Sequence, residues 1–344
     1  MSVWGEILLA FALNAYWQGT IIAAGAWIVA RWLRGAGPAA VCWMWRAALL
    51  AAVSLPLIST VWIIAGRDSV AIADGSNSHG HWAWLTLAIF CGLSIVWRAV
   101  RLFTDWLTVA RMQEEPIFAQ LSPWAENVVA HCLDRFDSGS VVVLRGSREA
   151  AYTAGWRRPV LVLPPRYFGA SEVIGMASVV GHELAHIERR DYAWNLVLES
   201  VTALVPFHPL IAWMKRSANL AREQACDAMV VQRLVSATEY AEELVQFARR
   251  ALDTPVPRHA MTVLEPNTLE TRVRSLLSPS IRFSTGAFAI RMGAVLLVLT
   301  SISAAFPWRA IRVDFSPLPD VPRAAGRWSW APRPPPPPSP PIPR

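Results

Sequence analysis

Residues 179–191 read VVGHELAHIERRD, with two histidines four apart and a glutamate directly after the first. On an α-helix, residues four apart share a face with their Cβ atoms about 5–6 Å apart. His182 and His186 can therefore offer imidazole nitrogens to one metal ion at roughly 2.0–2.1 Å. Glu183 stands one position on, about 100° round the helix. That offset keeps it off the metal but beside a water bound there, where it can serve as general base while a zinc ion acidifies the water and polarises a scissile carbonyl. Val179, Val180, Leu184 and Ile187 recur near a 3.6-residue period, which predicts a helix over 171–190. The competing reading is a buried helix carrying two hydrogen-bonded histidines.

Catalytic zinc usually takes three protein ligands and a water. A metzincin would place Gly and His three and six residues after His186, where this chain has Arg189 and Tyr192. Further on, LAREQACDAMVV (220–231) sets Glu223 and Asp227 four apart on another predicted helix. One carboxylate can bind zinc while the other accepts the second ring N–H of a ligand histidine and fixes its tautomer. Glu223 is the favoured ligand and Asp227 the supporting acid. Glu199 and His208 are the rivals, and the bland reading of Glu223 is a solvated helix face beside Arg222.

The elements that must position these residues lie in an unusually apolar chain. Of its 344 residues, 54% are hydrophobic, 17% are charged and 18 are tryptophan. Ordinary soluble domains carry about 25% charged residues. The apolar residues concentrate in runs 3–30, 47–66, 82–100 and 286–306, against the roughly 20 residues needed to span a bilayer. Trp43, Trp45, Trp82, Trp84 and Trp97 stand where an aromatic belt is expected. Arg31, Arg34 and Arg46 fall in the first short loop, Arg98, Arg101 and Arg111 follow the third run, and Arg272, Arg274 and Arg282 precede the fourth. The positive-inside rule then predicts an outside N-terminus and a cytoplasmic segment 101–285. The first run has no basic n-region and leads into a basic loop, unlike a cleaved signal peptide.

The net charge of +7 comes from arginines beside the apolar runs. Topology and anionic headgroups account for it, and direct nucleic-acid binding is not expected. Cys42, Cys91, Cys132 and Cys226 are scattered, and Cys226 reads as a buried helical cysteine rather than a thiolate ligand. Within 101–285, SVVVLRGS (140–147) and RPVLVLPP (158–165) read as strands, and the second is a candidate edge for an extended peptide. Residues 192–215 read as two helical pieces on the membrane face or core, and 217–251 as one long helix or two.

The motifs GWRRPVLVLP (155–164), GHELAHIERRD (181–191), PFHPLIAW (206–213), REQACD (222–227) and LETRVRSLLS (269–278) together resemble the BlaR/MecR-type antirepressor membrane metallopeptidases. The resemblance runs over residues 3–306. It implies a multi-span α-helical membrane protein with a cytoplasmic α+β, gluzincin-like zinc metalloprotease domain. His182, His186 and Glu223 match the family's Zn2+ ligands, Glu183 its catalytic glutamate and Asp227 its supporting acid. The implied location is the bacterial inner membrane, multi-pass. The implied partners are the lipid bilayer and a protein substrate such as a winged-helix repressor, with a homodimer among the allowed assemblies. A housekeeping protease of the Ste24/HtpX type and a non-catalytic transducer with a structural zinc site are the alternatives. Sensor members carry a penicillin-binding domain after the last span. Residues 307–344, ending APRPPPPPSPPIPR, read instead as an extended extracytoplasmic tail, so β-lactam sensing is not expected of that stretch.

Overall fold

A computed structural model describes residues 3–65, 70–73, 86, 89–101, 103–104, 107, 121–139, 141–146, 151–168, 173–253, 266–278 and 311–314. The chain is mostly helical. Helices α1 (Val3–Leu33) and α2 (Pro38–Ile64) form an antiparallel hairpin. The reversal is tight because Gly37 sits at φ +93°, open to glycine at little cost, and Pro38 starts α2 with φ already helical. Both helices are long and apolar enough to cross a membrane. The polar interruptions of the first run turn inward: Gln18 Nε2 donates to Ser59 Oγ at 2.9 Å, and Asn14 Nδ2 donates to the Ala10 carbonyl at 2.7 Å. Leu8, Trp27, Ile28 and Trp32 of α1 and Ile58, Val61 and Ile64 of α2 stay exposed, an apolar surface suited to lipid.

Helix α2 starts nine residues before the apolar run expected at 47–66, so Arg46 lies inside it rather than in a loop. The charge is accommodated because Arg46 is buried against a carboxylate, described below. Of the third expected span, residues 89–101 are helical (α3) and mostly exposed. The fourth, 286–306, lies outside the described residues. Strand β1 (Val70–Ala73), which follows α2, pairs in parallel with Ile311–Asp314 (the last described strand, β5), with Val70 opposite Ile311 and Ala73 opposite Asp314.

The rest is built on helices around a small sheet. Helix α4 (Pro123–Arg135) precedes β2 (Val142–Arg145), β3 (Tyr152–Ala154) and β4 (Val160–Leu163), ordered β2-β4-β3 with a parallel β2–β4 pair and an antiparallel β3–β4 pair. The segment expected to offer an edge, 158–165, is therefore the central strand. Its VLVL run is buried throughout, as a strand covered on both faces must be. The edges are β2 and β3. Helices α5 (Val173–Glu188), α6 (Asp191–Thr202), α7 (Pro209–Arg233), α8 (Ala237–Asp253) and α9 (Pro266–Leu277) follow. The two pieces expected over 192–215 are α6 and the start of α7, which runs on unbroken through REQACD.

Two apolar cores share α7. The hairpin packs with Leu198, Val205, Ile211, Met214, Ala218 and Ala221, while Cys226, one turn further on, joins α4, α5 and β4. His208, at the N-cap of α7, locks into α1: its Nε2 donates to the Tyr16 carbonyl at 3.1 Å, and a Cβ at Gly19 would stand 2.7 Å from that nitrogen. Gly19→Ala should therefore cost about 1–3 kcal/mol through overpacking. Gly25→Ala, where a Cβ meets nothing within 4 Å, should be neutral or slightly stabilising. Thermal unfolding of the two purified variants in detergent checks this, and equal midpoints would refute the interlock.

Candidate metal centre

Helix α5 carries His182, Glu183 and His186, and α7 crosses it with Glu223 and Asp227. His182 Nε2 lies 3.2 Å from Glu223 Oε2, and His186 Nε2 lies 3.9 Å from the same oxygen. One donor atom from each of the three residues falls within 4.8 Å of the others. Zinc–ligand bonds of 2.0–2.1 Å imply tetrahedral edges of roughly 3.3 Å. A two-nitrogen, one-oxygen donor set at these separations fits a zinc-sized ion after small side-chain adjustment.

The other ring nitrogens are held from behind. His182 Nδ1 lies 3.2 Å from Asp227 Oδ1 and 3.0 Å from the Tyr240 hydroxyl, which itself donates to Asp227 Oδ1 at 2.8 Å. Arg272 of α9 grips Asp227 with Nε on Oδ2 at 2.8 Å and Nη2 on Oδ1 at 2.7 Å. Tyr240 reaches this place because Ser236 and Glu239 form a capping box at the start of α8. His186 Nδ1 bonds Asp191 Oδ2 at 2.8 Å. An ionised carboxylate only accepts, so both histidines carry a proton on Nδ1, and a charged His182 donates from Nε2 to Glu223 Oε2 as well; a bound metal ion would take the place of that proton.

Asp191 comes from a local break. Arg190 is left-handed, at φ 54°, and ends α5, so α6 starts at once with Asp191 folded back on His186. Helix α6 also places the Asp191 carboxylate in its first turn, the favourable end for an anion. Burial disfavours its charge, but His186, Arg189 and Arg46 outweigh that and hold the carboxyl well below the usual range. At Asp227, burial is overcome by Arg272 and His182, and at Glu223 by His182, His186 and Arg222. Glu223 Oε1 takes two bonds from Arg222, at 2.9 and 3.2 Å, leaving Oε2 for the histidines. Burial works against a charged His182, yet its bonds to Asp227 and Glu223 push its pKa up to about 9. The field at this point favours a cation.

His186, Asp191 and Cys226 form a second cluster of possible donors. Burial pushes the Cys226 thiol well up, so it stays protonated and donates to Asp191 Oδ2 at 3.5 Å. A metal there would need a thiolate and the His186 nitrogen that Asp191 already holds. Glu199 lies elsewhere, held by Lys215 at 2.6 Å and Arg98 at 3.4 Å, and His208 is bound to α1. Glu183 is half-buried and makes no hydrogen bond or ion pair among the described residues. His186 also lines a cleft with Thr153, Gly155, Trp156, Arg190 and Tyr192, alongside the edge strand β3.

Residues 151–276 match the family model of the BlaR1 peptidase, M56. The match runs from β3 into α9 and so contains His182, His186, Asp191, Glu223, Asp227, Tyr240 and Arg272. With the two apolar helices it supports a membrane-associated metallopeptidase of the BlaR1 type. No curated protein matches the chain. Sequence reasoning passed over Asp191, Tyr240 and Arg272 as site residues. The acid at the end of HIERRD was the one local signal.

Asp227 and Arg272 are 1% and 7% exposed at their side chains, so Arg272→Met strands a buried carboxylate. It should cost about 3–5 kcal/mol. Adding Asp227→Asn should return much of that, because the unpaired charge is gone. Denaturant unfolding of the parent and the two variants measures it, and a double variant less stable than Arg272→Met would contradict the pairing.

Proposed function

We propose that this chain is a membrane-integral zinc endopeptidase acting at the cytoplasmic face, in signal transduction, on a transcriptional repressor or on itself. The observation that carries the reading is the convergence of His182, His186 and Glu223 with Glu183 one residue from the first histidine. His182, His186 and Glu223 would hold the ion. When bound, zinc supplies Lewis acidity toward the scissile carbonyl and toward water. Glu183 takes a proton from the attacking water and passes it to the leaving amide nitrogen as the C–N bond breaks. Asp227 with Tyr240, and Asp191, keep the protons of the two histidines on Nδ1 throughout. The outer edge of β3 in the described sheet, beside the His186 cleft, can accept an extended peptide by backbone hydrogen bonds. The antirepressor resemblance supplies the substrate class.

The proposed arrangement has spans at 3–30, 47–66, 82–100 and 286–306, a cytoplasmic α+β protease domain at 101–285 and an extracytoplasmic 307–344. Two features support it. The hairpin turn carries Arg31 and Arg34, and the contact of Arg46 with Asp191 lies toward that basic end of α2. At the opposite end of α2, β1 pairs with β5, while α9 lies at the metal centre, so α9 and β5 stand toward opposite ends of the hairpin.

Glu183→Gln should abolish proteolysis yet leave zinc near stoichiometric, whereas His186→Ala and Glu223→Ala should lose both. Metal analysis beside a cleavage assay decides it, and cleavage at the parent rate by Glu183→Gln would end the hydrolytic reading. For topology, single cysteines at Ser76 and Ser316, in a chain lacking Cys42, Cys91, Cys132 and Cys226, should react with an impermeant reagent on whole cells. One at Ser138 should not, and its labelling would invert the arrangement.

A further inference from the structure

We propose that Arg46 is a positioning residue of the metal centre: through Asp191 it orients His186 and so ties the placement of membrane helix α2 to metal binding. The proposal rests on the zinc reading above. Arg46 is the one charged residue of α2, eight residues beyond Pro38, roughly 12 Å along the helix at 1.5 Å per residue. An ionisable side chain buried so in an otherwise apolar helix is costly unless it is paired. Here the side chain is 4% exposed.

Its partners are specific. Arg46 Nη2 donates to Asp191 Oδ1. Its guanidinium carbon lies 5.1 Å from the ring centre of Trp43 and 5.3 Å from that of Trp194, which meet edge to face. These π-faces stabilise the cation where Nη1 is buried without a hydrogen-bond partner. The two oxygens of Asp191 are thus divided between the membrane helix and the metal centre. Oδ1 goes to Arg46, and Oδ2 to His186 Nδ1 at 2.8 Å, Arg189 Nε at 3.3 Å and Cys226 Sγ at 3.5 Å. Arg189 cannot replace Arg46, because it bonds the oxygen that His186 uses. It strengthens the same link instead, since its Nη2 reaches Cys42 Sγ of α2 at 3.3 Å. Removing Arg46 frees the carboxylate to rotate, and the His186 ring with it.

The test uses the full chain, purified in detergent, with Co(II) as the probe. Arg46→Met, Arg46→Lys, Asp191→Asn and the Arg46→Met/Asp191→Asn double variant are compared with His182→Ala. Affinity is read by chelator competition, ligand geometry by the visible Co(II) bands, and folding by helicity and thermal midpoint. Arg46→Met should weaken Co(II) binding by about 10–100-fold, the usual cost of losing a group that orients a metal ligand, and shift the bands. Arg46→Lys should fall between it and the parent. The double variant should bind no more weakly than Asp191→Asn alone. Parent affinity and bands in Arg46→Met, with or without lost stability, would overturn the proposal and leave Arg46 a docking residue. Losses that multiply in the double variant would overturn it too, since Arg46 would then act apart from Asp191. Should Arg46→Met not fold, Arg46→Lys decides alone: weaker binding at the parent thermal midpoint supports the proposal, and parent binding refutes it. If His182→Ala binds Co(II) as tightly as the parent, the failure belongs to the zinc reading instead.

Discussion

A carboxylate taken out of water must be paired, and the charge balance around the two histidines organises this molecule. Glu223, Asp227 and Asp191 surround His182 and His186 in a largely buried place. Each has an arginine: Arg222 on Glu223, Arg272 on Asp227, Arg46 and Arg189 on Asp191. An uncompensated buried charge costs several kcal/mol, and the planar guanidinium fork satisfies a carboxylate with two directed bonds. The arginines come from α2, the turn between α5 and α6, α7 and α9, so neutralising three acids draws much of the fold onto one point.

Helix α7 gives that point its mechanical setting. Its first half belongs to the core of the membrane hairpin and its second half presents Glu223, Cys226 and Asp227 to the peptidase core. A close-packed helix transmits displacement rather than absorbing it. The break at Arg190 does related work, since a left-handed residue between α5 and α6 turns the chain in one step and returns Asp191 to the histidine five residues before it. The candidate metal centre and the apolar hairpin are joined through both connections.

What the sequence by itself determined was local. Histidines four apart, carboxylates four apart, the glutamate at 183, long apolar runs and a VLVL strand follow from periods of 3.6 and 2, which span a few residues and survive without tertiary context. Tertiary structure decided what depends on charge meeting charge across the chain. Arg46 read as a loop arginine because only its distant partner Asp191 makes a charge tolerable inside α2. Tyr240 and Arg272 lie 58 and 45 residues from the groups they hold, beyond any periodicity. β3 is three residues long, too short for alternation to register, and it becomes a strand only by pairing with β4. Helix geometry is a property of neighbours in sequence, whereas compensation of a buried charge is a property of neighbours in space.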